Sequence, residues 1–191
     1  MKRFLAALPL LVAGIAHADS AEWKLDLSHS SVGFSVPHLV ISSVDGRFKE
    51  ATAKIDLDDA DVTKSQVSVE INAASIDTGD QKRDEHLKSP DFFDAKKFPK
   101  LTFKSTKIVK AGAAYKLTGD LTIRDVTKSV TLDASLSAPV KTPWGNQARA
   151  AKLTGKIKRG DFGLKWNKAL ETGGVVVGDE VTINVKAEVT K

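Results

Sequence analysis

The sequence predicts an all-β fold: an eight-stranded antiparallel barrel with one short helix and an aromatic lid segment. Several segments alternate apolar and polar residues with a period of two, which is typical of strands that bury one face. No long helical pattern separates these segments, which favours an antiparallel sheet. We prefer a closed barrel to a sandwich because closure removes the exposed strand edges that promote association between chains.

The first eighteen residues have the pattern of a cleavable secretory signal. Lys2 and Arg3 supply a positive start, an apolar run follows over 4–15, and Ala16-His17-Ala18 matches a small-x-small cleavage site. We expect export, cleavage after Ala18, and one mature domain over residues 19–191.

Eight strands are predicted in chain order. They cover residues 32–36, 44–57, 66–73, 101–109, 117–124, 130–138, 153–157 and 181–189. In the second strand the apolar residues change from even to odd positions, which predicts a bulge near Lys49 and Glu50. Turn signals lie at 45–46, 58–59, 111–112, 139–145 and 173–174.

The segment 81–99 is the one long stretch without the strand pattern. We predict a helix over 80–87, a further short helix over 37–42, and a turn near 161–164. Phe92, Phe93 and Phe98 follow the first helix, which places apolar rings in a connection where the backbone normally lies at the surface. Two interpretations are open: the rings attach the loop to the protein's own core, or they form a lid over a cavity.

The size of the inward-facing residues decides whether an eight-stranded barrel is packed solid or holds one small ligand. Many positions in the apolar phase carry small residues, namely Ala73, Gly119, Ala134, Ala138, Gly155 and Ala187. Small inward residues leave room for a guest, and they equally accommodate large neighbouring side chains. Both interpretations are open at this point.

Composition narrows the classes of partner. The chain has no cysteine, which leaves no disulfide and no site for lipid attachment to a thiol. Removal of Lys2 and Arg3 lowers the formal net charge from +5 to +3, since 5 − 2 = 3 and residues 1–18 contain no acid. This excess is weak and interspersed, so we expect no nucleic-acid partner.

Four blocks of sequence are distributed along the mature chain. They are residues 27–39 with 43–48, residues 75–79 with 83–94, residues 119–128, and residues 158–164. In content and order these blocks resemble the YceI-like family of bacterial periplasmic proteins, although similar proteins usually carry Gly in place of Asp125. The resemblance implies a lipocalin-like barrel in the periplasm that binds a long-chain isoprenoid or similar amphiphilic lipid, such as a prenyl quinone or a prenyl diphosphate.

The resemblance also implies a ligand site inside the barrel. The predicted lining and lid residues are Phe34, Val36, Phe48, Phe92, Phe93, Phe98, Phe103 and Phe162. The candidates that contact the polar head of the ligand are His38, Arg83, His86 and Lys88, whose side chains donate hydrogen bonds. A structural alternative for Arg83 is that it ties the short helix to the barrel together with Asp84.

We predict no cofactor, metal site or catalytic residue. His29, His38 and His86 lack the close paired spacing of zinc ligands, and no nucleophile elbow, HExxH or phosphate loop occurs. Two other functions stay open. One is an enzyme that uses His38 or His86 as acid or base on a lipid in the lumen, and the other is a structural or stress-related envelope protein with a packed barrel.

The implied partner besides the lipid is a membrane protein that donates or accepts quinone, such as a cytochrome b561-type protein. This expectation rests on the family resemblance alone. The sequence leaves open whether the chain acts as a monomer or a homodimer, and it does not define the chain length of the lipid.

Overall fold

The structure is a computed structural model of the 191-residue chain, and it describes residues 21–171 and 173–191. The expected signal over residues 1–18 lies outside the described residues. The described strands are β1 Ala21–His38, β2 Ser42–Phe48, β3 Ala51–Leu57, β4 Gln66–Asn72, β5 Ile76–Asp77, β6 Lys100–Ala111, β7 Ala114–Ile123, β8 Val126–Leu136, β9 Val140–Lys141, β10 Gln147–Lys158 and β11 Glu180–Thr190. The described α-helix is α1, Gln81–Lys88.

Eight of these strands form a closed antiparallel barrel, as the sequence predicts. The order around the barrel is β1, β3, β4, β6, β7, β8, β10 and β11. β11 then pairs with β1, from Lys24 opposite Thr190 to Ser35 opposite Thr182, and this pairing completes the ring. Closure leaves the eight barrel strands with a neighbour on both sides.

β1 is longer than predicted and changes partner along its length. Its first three residues pair with β3, and its second half pairs with β2, which extends the sheet beyond the barrel. A register shift between Asp26 and Ser31 marks a bulge in β1. The apolar residues are odd-numbered before the bulge and even-numbered after it, so the period-two pattern revealed only the second half.

The predicted bulge near Lys49 and Glu50 is a break between two strands, because β2 ends at Phe48 and β3 begins at Ala51. The predicted turn at 45–46 is wrong, since both residues lie within β2. Gly46 is directly opposite Phe34, and a Cβ at Gly46 would overlap the Phe34 ring. Glycine is therefore needed for close packing at this position and not for a turn.

The predicted helix over 37–42 is also wrong. β1 continues to His38, β2 begins at Ser42, and the three residues between them reverse the chain. Leu39 and Val40 have φ angles of 53° and 65°, which are incompatible with a right-handed helix.

The other two predictions of helical structure, over 80–87 and near 161–164, are confirmed. α1 occupies the expected segment, and the Asp80 carboxylate caps it by accepting a hydrogen bond from the Arg83 amide at 2.9 Å. A 3-10 turn, Arg159–Phe162, overlaps the turn expected over 161–164. Within the described ranges, no helix combines the length and the apolar character needed to cross a bilayer.

The strand directions give the barrel two ends. The lid end carries residues 39–41, α1 with residues 89–99, residues 124–125, and residues 159–171 and 173–179. The base end carries residues 58–65, 112–113 and 137–146. At the base, Trp23 packs with Leu57 and Val189, and the cationic groups of Arg149 and Lys191 lie over its ring. These contacts close the base of the barrel.

Candidate functional site

An elongated cavity of about 330 Å³ occupies the interior of the barrel. All eight barrel strands contribute to its lining, which extends from Leu57, Leu136 and Val189 at the base to Val36 and Val181 at the lid end. The volume falls at the lower end of the range of about 300 to 1,000 Å³ that is usual for small-molecule sites. The interior is therefore hollow and not filled by side chains alone.

β11 indicates the length of the cavity. Alternate residues from Val181 to Val189 line it. Eight steps of about 3.3 Å give roughly 26 Å along the strand, and a strand tilt of about 40° reduces this to roughly 20 Å along the barrel axis. A cavity of this length with a modest volume fits an extended chain better than a compact ring system.

The cavity lining is almost entirely aliphatic and aromatic. Its polar members are Ser30, Ser65, Tyr115, Ser135, Arg159 and Lys186. The Ser30 hydroxyl donates to the Asp26 carbonyl, and the Ser65 hydroxyl accepts from the Asp58 amide at 3.0 Å. Because these two hydroxyls already have protein partners, the wall offers an apolar guest mainly burial from water.

The small inward residues have two different roles. A Cβ at Gly119 would overlap the ring of Phe103, and a Cβ at Gly155 would overlap the side chain of Leu132. Ala134 and Ala187, in contrast, line the cavity. Both interpretations of the small residues are therefore correct, each for different positions.

The segment after α1 folds back and covers the lid end. The Phe93 amide donates to the Leu87 carbonyl at 3.0 Å, and the Ala95 amide donates to the Lys88 carbonyl at 3.0 Å. These bonds hold the segment on the last turn of the helix, and Leu87, Phe92 and Phe93 line the cavity. The rings pack against the hydrophobic core and also cover the cavity, so the two interpretations of this segment are compatible.

Six of the eight predicted lining residues lie in the cavity wall: Phe34, Val36, Phe48, Phe92, Phe93 and Phe103. Phe98 and Phe162 lie elsewhere. The half-buried ring of Phe98 is 4.9 Å from the Lys97 ammonium and 5.4 Å from the Arg124 guanidinium. Phe162 is 2% exposed and packs in the core beneath the 3-10 turn.

The predicted head-group residues Arg83 and His86 lie beside the cavity and are not among the residues that line it. Arg83 Nε donates to Thr78 Oγ1 at 2.7 Å, and its Nη2 donates to the Thr78 carbonyl at 2.9 Å. This arrangement matches the structural alternative, in which Arg83 ties α1 to the end of β5. His86 Nε2 lies 2.9 Å from Asp91 Oδ2, and its ring packs edge-on against Trp166.

Lys88 and His38 also lie outside the lining. The Lys88 ammonium donates to Glu85 at 3.0 Å on the surface of α1. His38 ends β1 and forms a backbone bridge with Val177, which does line the cavity. Contact between these four residues and a ligand head group stays a prediction.

Arg159 is a lining residue that the sequence analysis missed. It is only 7% exposed, and its Nε donates to the Gly178 carbonyl at 2.8 Å while its Nη1 donates to the Trp166 carbonyl at 2.9 Å. Further bonds go to the carbonyls of Leu164 and Val177. Among the described residues, Arg159 makes no ion pair with a carboxylate at hydrogen-bonding distance.

Burial lowers the pKa of the Arg159 guanidinium, and the charge of Asp179 opposes this effect. An arginine nevertheless stays protonated, so the cavity wall carries a buried positive charge near the lid end. The sequence contained the signal for this position. Residue 159 continues the inward phase of Leu153, Gly155 and Ile157 on β10.

Comparison with known proteins assigns this barrel to a family. Residues 23–189 match the YceI-like domain. The chain belongs to the YceI-like family. Protein YceI of Escherichia coli O157:H7 is 38% identical over 169 residues, which cover 86% of this chain and 88% of that protein.

Solved structures show the same barrel fold. The crystal structure of the Campylobacter jejuni YCEI protein superposes with a TM-score of 0.71 at 34% identity, and covers 96% of this chain and 99% of that one. A polyisoprenoid binding domain from Saccharophagus degradans superposes with a TM-score of 0.59 at 14% identity, and covers 87% of this chain and 97% of that one. The second likeness establishes a shared fold.

The four YceI-like sequence blocks meet at the lid end of the barrel. They form the β1–β2 hairpin, the segment from β5 to the lid, the β7–β8 turn, and the Arg159 turn. The blocks contact one another: Arg124 Nη1 donates to the Gly163 carbonyl at 3.4 Å, and Phe93 packs on Phe48. The four blocks therefore contribute to the structure that closes the cavity and holds the buried charge.

Proposed function

We propose that this protein binds one long-chain isoprenoid or similar amphiphilic lipid, such as a prenyl quinone or a prenyl diphosphate, in the lumen of the barrel. The elongated apolar cavity of about 330 Å³ carries this proposal. Burial of one isoprene unit contributes about 4 kcal/mol, at roughly 0.8 kcal/mol per carbon, before the costs of association and ordering. A chain of several units therefore binds tightly without many polar contacts.

The structural neighbours support the chemical class of the ligand. The Saccharophagus degradans domain that shares the fold is a polyisoprenoid binding domain. A barrel of the same topology with an apolar lumen in the present chain is suited to the same kind of guest. This support is an analogy between folds, and the lining residues of this chain supply the physical argument.

The polar end of the lipid lies next to Arg159 in this proposal. A guanidinium has five N–H donors, and four hydrogen bonds from Arg159 reach backbone carbonyls. The remaining donor and the buried positive charge favour a diphosphate or a quinone oxygen at this point of the wall. The tail then extends from Arg159 toward Trp23 at the base.

Export to the periplasm is part of the proposal. The charged start, apolar run and small-residue cleavage pattern of residues 1–18 support it. In the periplasm, a carrier shields the lipid from water between membrane-bound donors and acceptors. A cytochrome b561-type protein is the membrane partner that the family resemblance suggests.

The cavity disfavours the packed-barrel alternative, because a structural barrel has no need of an open apolar interior. For the enzymatic alternative, His38 and His86 are the proposed acid or base. Neither histidine is among the residues that line the cavity, and His86 instead pairs with Asp91. The described residues thus provide no observation that favours catalysis over binding.

Native mass spectrometry tests the binding function directly. The mature chain is delipidated and mixed with a prenyl quinone, a prenyl diphosphate or a straight-chain alkane. We expect one lipid per chain for the first two ligands, with release only on unfolding. A folded chain that stays ligand-free with both prenyl lipids would contradict the proposal.

A further inference from the structure

Three exposed aliphatic side chains, Val40, Ile41 and Val175, lie with the half-buried Leu39 at the lid end, and we call these four residues the apolar tip. Val40 is 73% exposed, Ile41 is 85% exposed and Val175 is 40% exposed. Single exposed apolar residues are ordinary in proteins, whereas a contiguous group marks a surface that contacts another apolar phase.

The two loops that form the apolar tip touch each other. The Leu39 amide donates to the Val176 carbonyl at 2.9 Å, and a Cβ built on Gly174 would lie 3.2 Å from Val40 Cγ2. The tip is therefore one continuous patch and not two separate loops.

The backbone of the apolar tip is strained. Leu39 and Val40 have positive φ angles, and such a conformation is strongly disfavoured for a β-branched residue such as valine. Asparagine or glycine would form the same turn more easily. A strained turn that presents aliphatic side chains to solvent indicates that these side chains have a function outside the fold.

The apolar tip is continuous with the cavity wall. Val36, three residues before Leu39, lines the cavity, and so does Val177, two residues after Val175. The bridge between His38 and Val177 joins these two stretches directly below the tip. On both stretches, residues of the tip are therefore only two or three positions away from a residue of the cavity wall.

We propose that the apolar tip inserts into the surface of a phospholipid membrane and that lipid enters and leaves the barrel at this contact. This inference rests on the proposed binding function. A bilayer suits the tip better than a protein partner does, because protein hot spots are rich in Trp, Tyr and Arg, and the tip contains none of these.

The charges near the apolar tip are compatible with a membrane surface. Residues 37–43 contain no carboxylate, and on the loop that carries Val175 the two cations Lys165 and Lys168 balance the two carboxylates Glu171 and Asp179. Lys168 lies beside the tip, since its carbonyl accepts a hydrogen bond from the Val176 amide at 3.0 Å. Lysines near a bilayer surface are attracted to anionic lipid head groups.

Two substitutions in the tip and one matched control test the inference. Ile41→Asp places a charge at the most exposed tip position. Val40→Asn removes an aliphatic side chain and relieves the strained turn, so loss of folding does not explain its effect. The control is Trp144→Ser, because Trp144 is 87% exposed in the base-end loop between β9 and β10.

The assay uses vesicles of phosphatidylethanolamine and phosphatidylglycerol that contain a prenyl quinone. It measures three quantities: the fraction of protein that floats with vesicles, the rate of quinone transfer to the protein, and the quinone taken up from detergent micelles. We expect each tip variant to lose about tenfold in flotation and transfer rate, in keeping with the burial of one aliphatic side chain, with unchanged uptake from micelles. Trp144→Ser should match the wild type in all three.

Several results would overturn the inference. Equal flotation and transfer for the wild type and both tip variants would do so while leaving the binding function intact. Conversion of a dimer to a monomer by Ile41→Asp, with no wild-type flotation, would identify the tip as a contact between two copies of the chain. Absence of micelle uptake by the wild type would instead refute the binding function. Flotation of the wild type, reduced in the tip variants, would still support insertion of the tip into the membrane.

Discussion

The ring of Phe93 lies edge-on against the ring of Phe48, with centroids 5.7 Å apart and planes at 82°. Phe48 in turn lies 5.9 Å from Phe34. This row of three rings joins the lid to β2 and β1, and all three rings also line the cavity. The contacts that hold the lid in place are therefore contacts that a bound lipid shares.

A charge in this row should weaken lipid binding. Phe93→Asp removes an apolar ring from the wall and places a carboxylate against the lipid tail, so we expect a loss of affinity of at least about tenfold. Lys128→Ala, at an exposed position of β8, should leave affinity unchanged. Titration with a prenyl quinone measures both variants, and thermal unfolding monitors the fold. Equal effects of the two substitutions would argue that the Phe93 segment is not a lid.

Filling the lumen should separate lipid binding from stability. Ala187→Phe adds a large side chain to the cavity wall without removing any existing contact. We expect uptake of a prenyl lipid to fall at least about tenfold, while the melting temperature stays the same or rises, because the new ring occupies empty space. Native mass spectrometry and calorimetry give the two values. Undiminished uptake by a folded Ala187→Phe variant would place the lipid outside the lumen.

The buried charge of Arg159 should give the protein a preference for ligands with an anionic end. The wild type should bind a prenyl diphosphate more tightly than a prenyl alcohol of equal chain length. Arg159→Lys keeps the charge but loses the planar fork of donors, so this preference should shrink. Competition between the two lipids measures the preference within one protein sample. Equal affinities of the wild type for both lipids would show that the head group lies elsewhere.

Loss of the Arg159 donors should also destabilise the lid end. Arg159→Met leaves the carbonyls of residues 164, 166 and 178 without this donor, while the Val177 carbonyl keeps its hydrogen bond from the Asn167 side-chain amide. Each buried acceptor without a partner costs about 1 to 3 kcal/mol, so we expect a clear fall in the free energy of unfolding. Urea denaturation measures it, with Lys128→Ala as the control. Unchanged stability would mean that water replaces the guanidinium at little cost.

The pair formed by Asp26 and His29 should make stability depend on pH. The hydrogen bond from His29, joined by one from Ser28, lowers the pKa of Asp26 to about 2, and the same contact with Asp26 raises the pKa of His29. The stabilisation by His29 is complete below the ordinary histidine value of 6.5 and disappears as pH rises through the raised pKa. The stabilisation by Asp26 is complete above the ordinary value of 3.8 and disappears as pH falls toward 2.

The Asp26–His29 pair therefore stabilises the folded protein most between pH 3.8 and pH 6.5, the ordinary pKa values of the two side chains. The effect is small because both groups are at the surface. We expect His29→Ala to lower the urea midpoint slightly in this window and not at all well above the raised pKa of His29. Proton NMR titration of the His29 ring gives the pKa itself. A value at or below the ordinary one would contradict the interpretation.

The period-two alternation in the sequence was sufficient to predict which strand residues form the barrel wall. The odd-numbered residues of β11 from Val181 to Val189 face the cavity as the alternation indicates. The pattern failed where a bulge in β1 shifted the phase, and at residues 37–42, where an apolar turn with positive φ resembles the start of a helix. Alternation reports which face a residue occupies, but it does not report where a strand changes partner.

Local sequence determined the helix and the chain reversal after it. α1 with its Asp80 cap, and the return of Phe93 onto the last turn of the helix, depend on contacts between residues close in the chain, whereas the packing of Phe93 on Phe48 is a tertiary contact. The same local character explains why Arg83, His86 and Lys88 lie beside the cavity. Their partners are Thr78, Asp91 and Glu85, which are at most five residues away along the chain.

Only the tertiary structure decided that the barrel is hollow and that Arg159 belongs to its wall. Whether a small residue opens a cavity or receives a neighbour depends on the side chain across the interface, as Ala187 and Gly119 illustrate. The burial of Arg159 likewise depends on carbonyls as far away along the chain as Gly178, which reach the guanidinium only when residues 173–179 fold back over the barrel end. The sequence by itself determined which side chains point inward, and closure of the sheet determined how much space remains between them.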